Sequence, residues 1–231
     1  MFDVQGSMFK VQSSVLALIL ATVALGGAET NAPVRRLGAG RFAVGLVTLD
    51  KTNRTVSFPA SVNLREETIE YVVVHKTGKA HESLFRTDAR PQDIHVALLL
   101  LGAKPAMTNA FGEDGRARPR GESVDIEVSW TNQGARFRGP VEDLVLNKEA
   151  TNALPRGAWI YNGSNFSEGM FTAERDGSIV STHIDPDALI NNPRPGREND
   201  DLYQPNTDKL PPIGTPVEIV IQLVGPPSRL P

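Results

Sequence analysis

Between Val124 and Thr131 the residue type alternates without a break: Val124, Ile126, Val128 and Trp130 are apolar, while Asp125, Glu127, Ser129 and Thr131 are polar. Side chains on a strand point to opposite faces in turn, so a period of two specifies a strand with one packed face and one wet face. The segment from Val217 to Val224 repeats the pattern, with Val217, Ile219, Ile221 and Leu223 on one side. A chain carrying two such segments has to build a sheet with an apolar side, and something must cover that side.

Shorter β-rich runs surround these two. Phe42 to Leu49 reads as a strand, Asp50 to Arg54 supplies turn residues, and Thr55 to Phe58 resumes before Pro59, which predicts a hairpin. Ile69 to His75 and Ala80 to Thr87 flank Lys76-Thr77-Gly78-Lys79 and predict a second hairpin, with Gly78 supplying a positive φ. Ala158 to Tyr161 and Ser178 to His183 read as strands, and Val141 to Asn147 fits strand or short helix. Asp185-Pro186 suits the cap and first turn of a short helix through Ile190, and Pro193 to Pro212 reads as a long polar loop. The one long helix is Pro91 to Leu101, opened by proline and stopped at Gly102. Leu98 to Leu101 occupy every side of its last turn, and a helix apolar all round is a buried one. The expectation is therefore an α+β fold, β-dominated, with a mostly antiparallel sheet, one long buried helix at its centre and short helical turns.

Residues 1–28 read as a signal peptide rather than as part of this fold. Val15 to Leu25 is an unbroken stretch of apolar and small residues preceded by Lys10 and followed by Gly26-Gly27-Ala28, too short to span a bilayer and suited to cleavage after Ala28. Asp3 is out of place in a region that should be positive, so Met8 competes with Met1 as the initiator. Residues 29–41 then form a flexible linker, and 42–231 a single domain with a candidate internal boundary at 112–121. The expected location is the periplasm or the outside of the cell, with no stable membrane span after signal removal. The chain of 231 residues has no cysteine, so stability must come from a packed core and no iron–sulfur cluster can be held by this chain alone. A net charge of −3, with both signs scattered, argues against nucleic acid, which needs gathered basic residues. The partners expected are another exported protein or a small ligand.

The blocks VNLREETIEYVVVHKTGKAHESLF, RPQDIHVALLLLGAK, WIYNGSNF and LPPIGTPVEIVI occur in order over about residues 44–224. In that order they resemble the YdjY-type domain of exported bacterial proteins, a domain of unknown function. The resemblance implies no catalytic residue, so the candidates rest on the residues themselves.

Those candidates are His81, Glu82, Ser83 and His95. His81 and His95 stand where the second hairpin hands over to the helix, and two imidazoles with a carboxylate are a common set for a divalent transition metal. His95 lies about one turn into the helix, where the positive end of the dipole favours a neutral ring. A serine beside a histidine is a nucleophile pattern. Against these, each histidine can hydrogen-bond backbone in a tight connection, and Glu82 can pair with Arg86 or Lys79. Neither HExxH nor GxSxG occurs. The favoured function is a non-enzymatic binding or assembly module, the alternative a metal-binding protein or metal-dependent enzyme using His81 and His95. Asp185, Asp187, Asn191, Asn199, Asp200 and Asp201 form an oxygen-rich run of a kind that can bind calcium, but its spacing matches no EF-hand, and turns and caps also require Asp and Asn. Trp159 and Tyr161, beside a turn, suit either core packing or a sugar or peptide contact.

Overall fold

A computed structural model describes residues 33–225, apart from 107–109, 114 and 133. The expected signal peptide lies outside the described residues. Strands β1 (Val34–Gly38), β2 (Arg41–Val44), β3 (Val47–Asp50), β4 (Thr55–Val62), β5 (Tyr71–His75) and β6 (Ser83–Thr87) precede helix α1 (Pro91–Leu100). Next come β7 (Glu122–Asn132), β8 (Ala135–Pro140), β9 (Val145–Asn147), β10 (Asn152–Ala153), β11 (Trp159–Tyr161), β12 (Phe166–Ser167) and β13 (Met170–Phe171). Helix α2 (Thr172–Asp176), β14 (Ser178–Ser181), β15 (Ile190–Asn191), β16 (Tyr203–Pro205) and β17 (Pro216–Leu223) complete the chain.

The β dominance stands, but the sheet is mixed and barrel-like rather than mostly antiparallel. Its order runs β4, β17, β7, β11, β15, β14, β5, β6, and β6 pairs back onto β4, closing a ring of 8 strands. Two seams of the ring, β14–β15 and β5–β6, are parallel. The two alternating segments do what their pattern requires. β7 and β17 lie side by side with Val124, Ile126, Val128, Ile219 and Ile221 buried, and Asp125, Glu218 and Gln222 exposed. The opposite wall carries no alternation, because Tyr71, Val72, Val73 and Val74 are all buried and β5 is covered on both faces.

Several expectations fail locally. Phe42 to Leu49 is not one strand but β2 and β3 folded at Gly45-Leu46, with Gly45 at φ 57°. β1 and the first residue of β2 fall inside the stretch expected as a linker. The second hairpin does not form: β5 and β6 are parallel, with Tyr71 opposite Ser83 and His75 opposite Thr87. Residues 76–82 therefore run back from the end of β5 to the start of β6, shorter than the usual parallel crossover, and close with a 3-10 turn over Ala80–Glu82. Gly78 is not among the positive-φ glycines; it is needed for space, since a Cβ there would stand 2.6 Å from the Asp176 carbonyl oxygen. Residues 185–189 form turns rather than a helix, and the polar loop after Pro193 contains β16.

Helix α1 packs over β2 and β3 through Ile94, Ala97 and Leu98, an i, i+3, i+4 stripe. The leucine run is not buried all round: Leu99 and Leu100 are 42% and 41% exposed. The helix lies over one flank of the barrel, so only one of its sides meets the core.

Candidate functional site

The parallel seam decides which candidates meet. Because β5 and β6 run the same way, both starting residues, Tyr71 and Ser83, lie at one rim of the barrel. β14 is antiparallel to β5, so residues just beyond its end, including His183 and Asp185, reach the same rim. His81 and Glu82 sit on the 3-10 turn immediately before β6 and belong there too. His95 does not. It lies on α1, which follows the far end of β6, and four strand steps at about 3.3 Å each set the two histidines on opposite rims. His81 and His95 are not brought together as co-ligands, which need separations of about 3–4 Å. Among the described residues no group of three or more His, Asp or Glu is arranged to hold a metal ion.

What assembles at the first rim is a charge-alternating network around a buried phenol. Lys79 Nζ donates to Tyr71 Oη at 2.7 Å, and Tyr71 Oη donates to Asp185 Oδ2 at 2.8 Å. The ammonium also lies 4.9 Å from the Tyr71 ring centre, while His183 packs edge-on to that ring at 5.2 Å. Burial, and then the Asp185 carboxylate, push the Tyr71 pKa well up, so the phenol stays protonated and acts as a fixed donor. Glu82 lies 3.9 Å from Lys79 and 3.5 Å from His81 Nε2, and Glu70 lies 3.7 Å from His183 Nε2. Burial raises the Glu70 pKa and the nearby Glu82 charge adds to it, against the pull of His183 and Lys79.

The crossover that carries Lys79, His81 and Glu82 is braced from several sides. Asn63 Nδ2 donates to the Ala80 and Ser83 carbonyls at 2.5 and 2.8 Å, and the Glu70 N–H donates to the Glu82 carbonyl at 2.9 Å. Gly78 lies against Gly177 at the other rim. Of the side chains so held, His81 is the open one, 80% exposed, with Lys79 at 44%. Ser83 points the other way: it is fully buried and its Oγ donates to the Phe85 carbonyl at 2.8 Å, so it forms no nucleophile pair with His81.

At the opposite rim His95 is enclosed by Tyr161 and Phe171, with its Nδ1 2.8 Å from Tyr161 Oη. Its pKa is lowered to about 4, and burial is the cause rather than the helix dipole. The oxygen-rich run is spent on turns. Asp185 Oδ1 accepts from the Asp187 N–H, Asn199 Oδ1 from the Asp201 N–H, and Asn191 bridges Asp185 and Asn162. Trp159 is core, its indole N–H donating to Glu142 Oε1 at 3.0 Å beside Arg194, which meets the same oxygen at 2.7 Å. Nothing in the sequence marks Tyr71, Glu70 or His183 as site residues, and Asp185 stands out there only as part of the oxygen-rich run. The Tyr71–Asp185 bond joins residues 114 positions apart, and no local spacing encodes it.

The family model of the YdjY domain matches residues 47–222, from the first residue of β3 almost to the end of β17. The matched stretch contains the rim network in full, and β1 and β2 precede it. No curated protein and no solved structure matches the chain significantly.

Proposed function

The chain belongs to the YdjY domain family, and from that premise we propose that it is an exported, non-enzymatic binding module that engages its partner at the rim formed by Lys79, His81 and Glu82. The partner is another exported protein or a small polar ligand. The observation that carries this reading is the combination of a fixed backbone with open tips: residues 76–82 are held by Asn63, Glu70, Tyr71 and Gly177, while the His81 side chain remains 80% exposed. A recognition loop that is already ordered loses little conformational entropy on binding. The mixture of one ammonium, two imidazoles and three carboxylates favours a partner that presents both charge signs. A buried Ser83 and an enclosed His95 favour binding over group transfer.

Site-specific photocrosslinking tests it. A benzoylphenylalanine at position 81, in cells expressing the chain, is expected to give a discrete adduct in the periplasmic fraction. The adduct should disappear when Lys79→Glu and Glu82→Lys are added. Adducts at position 81 no stronger than at Asp88, a 61% exposed control side chain just past the far end of β6, would refute the reading. Elemental analysis adds a second check, the expected result being no stoichiometric metal that depends on His81 or His95.

A further inference from the structure

The strand β1 ends the sheet. It pairs with β2 along one edge, no strand among the described residues pairs with its other edge, and all five of its residues are exposed, with Val34 51% and Leu37 45% accessible. An open edge presents unpaired N–H and C=O groups that a further strand can join. Which groups these are follows from the neighbouring turn. Val44 and Val47 close the two-residue loop at Gly45-Leu46 and so bond each other. The amide of Ala43 consequently faces β1, and Arg35, its partner, faces inward. Val34 and Arg36 turn their amides outward.

The side chains on this edge select the partner. Arg35 and Arg36 are consecutive and therefore lie on opposite faces of β1. The Arg36 Nε contacts the Gly38 carbonyl at 3.4 Å, and both guanidinium groups stand on exposed residues. In a chain whose net charge is −3 this is a locally basic edge. A second copy fits it badly. With the Val34 and Arg36 amides outward, the symmetric antiparallel registers centred on the strand pivot at Arg35 or at Arg36, and each sets like charges directly opposite. An acidic strand fits: two consecutive carboxylates put one charge beside Arg35 on one face and one beside Arg36 on the other. β1 and β2 also precede the matched family region, so this edge is separate from the elements the family shares.

We propose that β1 is a strand-addition site for an extended acidic segment of another protein, one carrying two adjacent Glu or Asp residues flanked by β-branched residues. The surface is independent of the rim around His81, and either can fail without the other.

The test is fluorescence anisotropy with the purified protein and a labelled Thr-Val-Glu-Glu-Val-Thr peptide at low ionic strength, with far-UV circular dichroism confirming that each variant is folded. Saturable binding is expected, weakened about tenfold or more by Arg35→Glu with Arg36→Glu. That double variant should in turn take up the matching Lys-Lys peptide. Arg36→Pro removes an outward N–H as well as the charge and should bind more weakly than Arg36→Ala. The proposal is overturned if the wild-type protein does not bind the acidic peptide, if Arg36→Pro and Arg36→Ala bind it equally, or if the edge is instead occupied by a concentration-dependent dimer that Arg36→Pro abolishes.

Discussion

Acid should weaken the native state through His95. The Tyr161 pKa is raised by burial, so the phenol stays protonated and can donate a hydrogen bond to His95 Nδ1 across 2.8 Å, the pairing of a neutral ring with its hydrogen on Nε2. A second proton on Nδ1 sets two donors face to face between Phe171 and Tyr161. Burial lowers the native pKa from 6.5 to about 4. Between those values the unfolded chain binds a proton that the native state refuses. The stabilisation from a neutral His95 is thus complete above pH 6.5 and is lost as pH falls to about 4. At about 1.4 kcal/mol per pH unit, the interval amounts to roughly 3 kcal/mol. Urea unfolding of wild type and His95→Gln at pH 7 and pH 4 measures it, because glutamine keeps an acceptor for Tyr161 and cannot titrate. Wild type is expected to lose roughly 3 kcal/mol more than the variant over that range. His75, whose pKa burial also lowers, is present in both proteins and cancels. Parallel losses would refute the assignment of Nδ1 as a buried acceptor.

Three further outcomes are expected. Glu142→Leu leaves the Arg194 guanidinium, 9% exposed, without its carboxylate and the Trp159 indole without its acceptor, and should cost about 3–5 kcal/mol in thermal or urea unfolding. Gly78→Ala drives a methyl group to within 2.6 Å of the Asp176 carbonyl and should destabilise by about 1–3 kcal/mol, read as a fall in Tm of several degrees. Tyr71→Phe removes both the donor to Asp185 and the acceptor for Lys79, and a loss of about 1–3 kcal/mol is expected, with less of the loss recovered in Tyr71→Phe, Asp185→Asn if the two groups act independently.

What the sequence made legible tracks how local the deciding contacts are. β7 and β17 were plain because each alternates over its own length, and α1 because proline and glycine bracket it. Val141 to Asn147, which fitted strand or helix, is both: a 3-10 turn over Val141–Leu144 followed by β9. The β5–β6 pair misled because a short glycine-containing link between two β-rich runs has the composition of a hairpin. The choice of the parallel arrangement is made by β4 and β14, which take up the outer edges. That one reversal also decided the site. It brought His81 and Glu82 to Tyr71, Asp185 and His183, and carried His95 to the other end. α2, which begins at Thr172 and stops at Gly177 with φ 70°, went unseen because five residues hold too little periodicity to register.

The place of β17 bears on when this chain can fold at all. β17 lies between β4 and β7 and pairs along both, with Pro216 opposite Ser61 and Leu223 opposite Val124. Until it arrives those two neighbours have no common partner, and the circle of strands cannot shut. Partial products are thus held in an open, unlatched condition, and the cooperative step waits for a keystone that is made late. A chain cut short before Pro216 should therefore be unable to close its ring, however well its earlier strands are patterned.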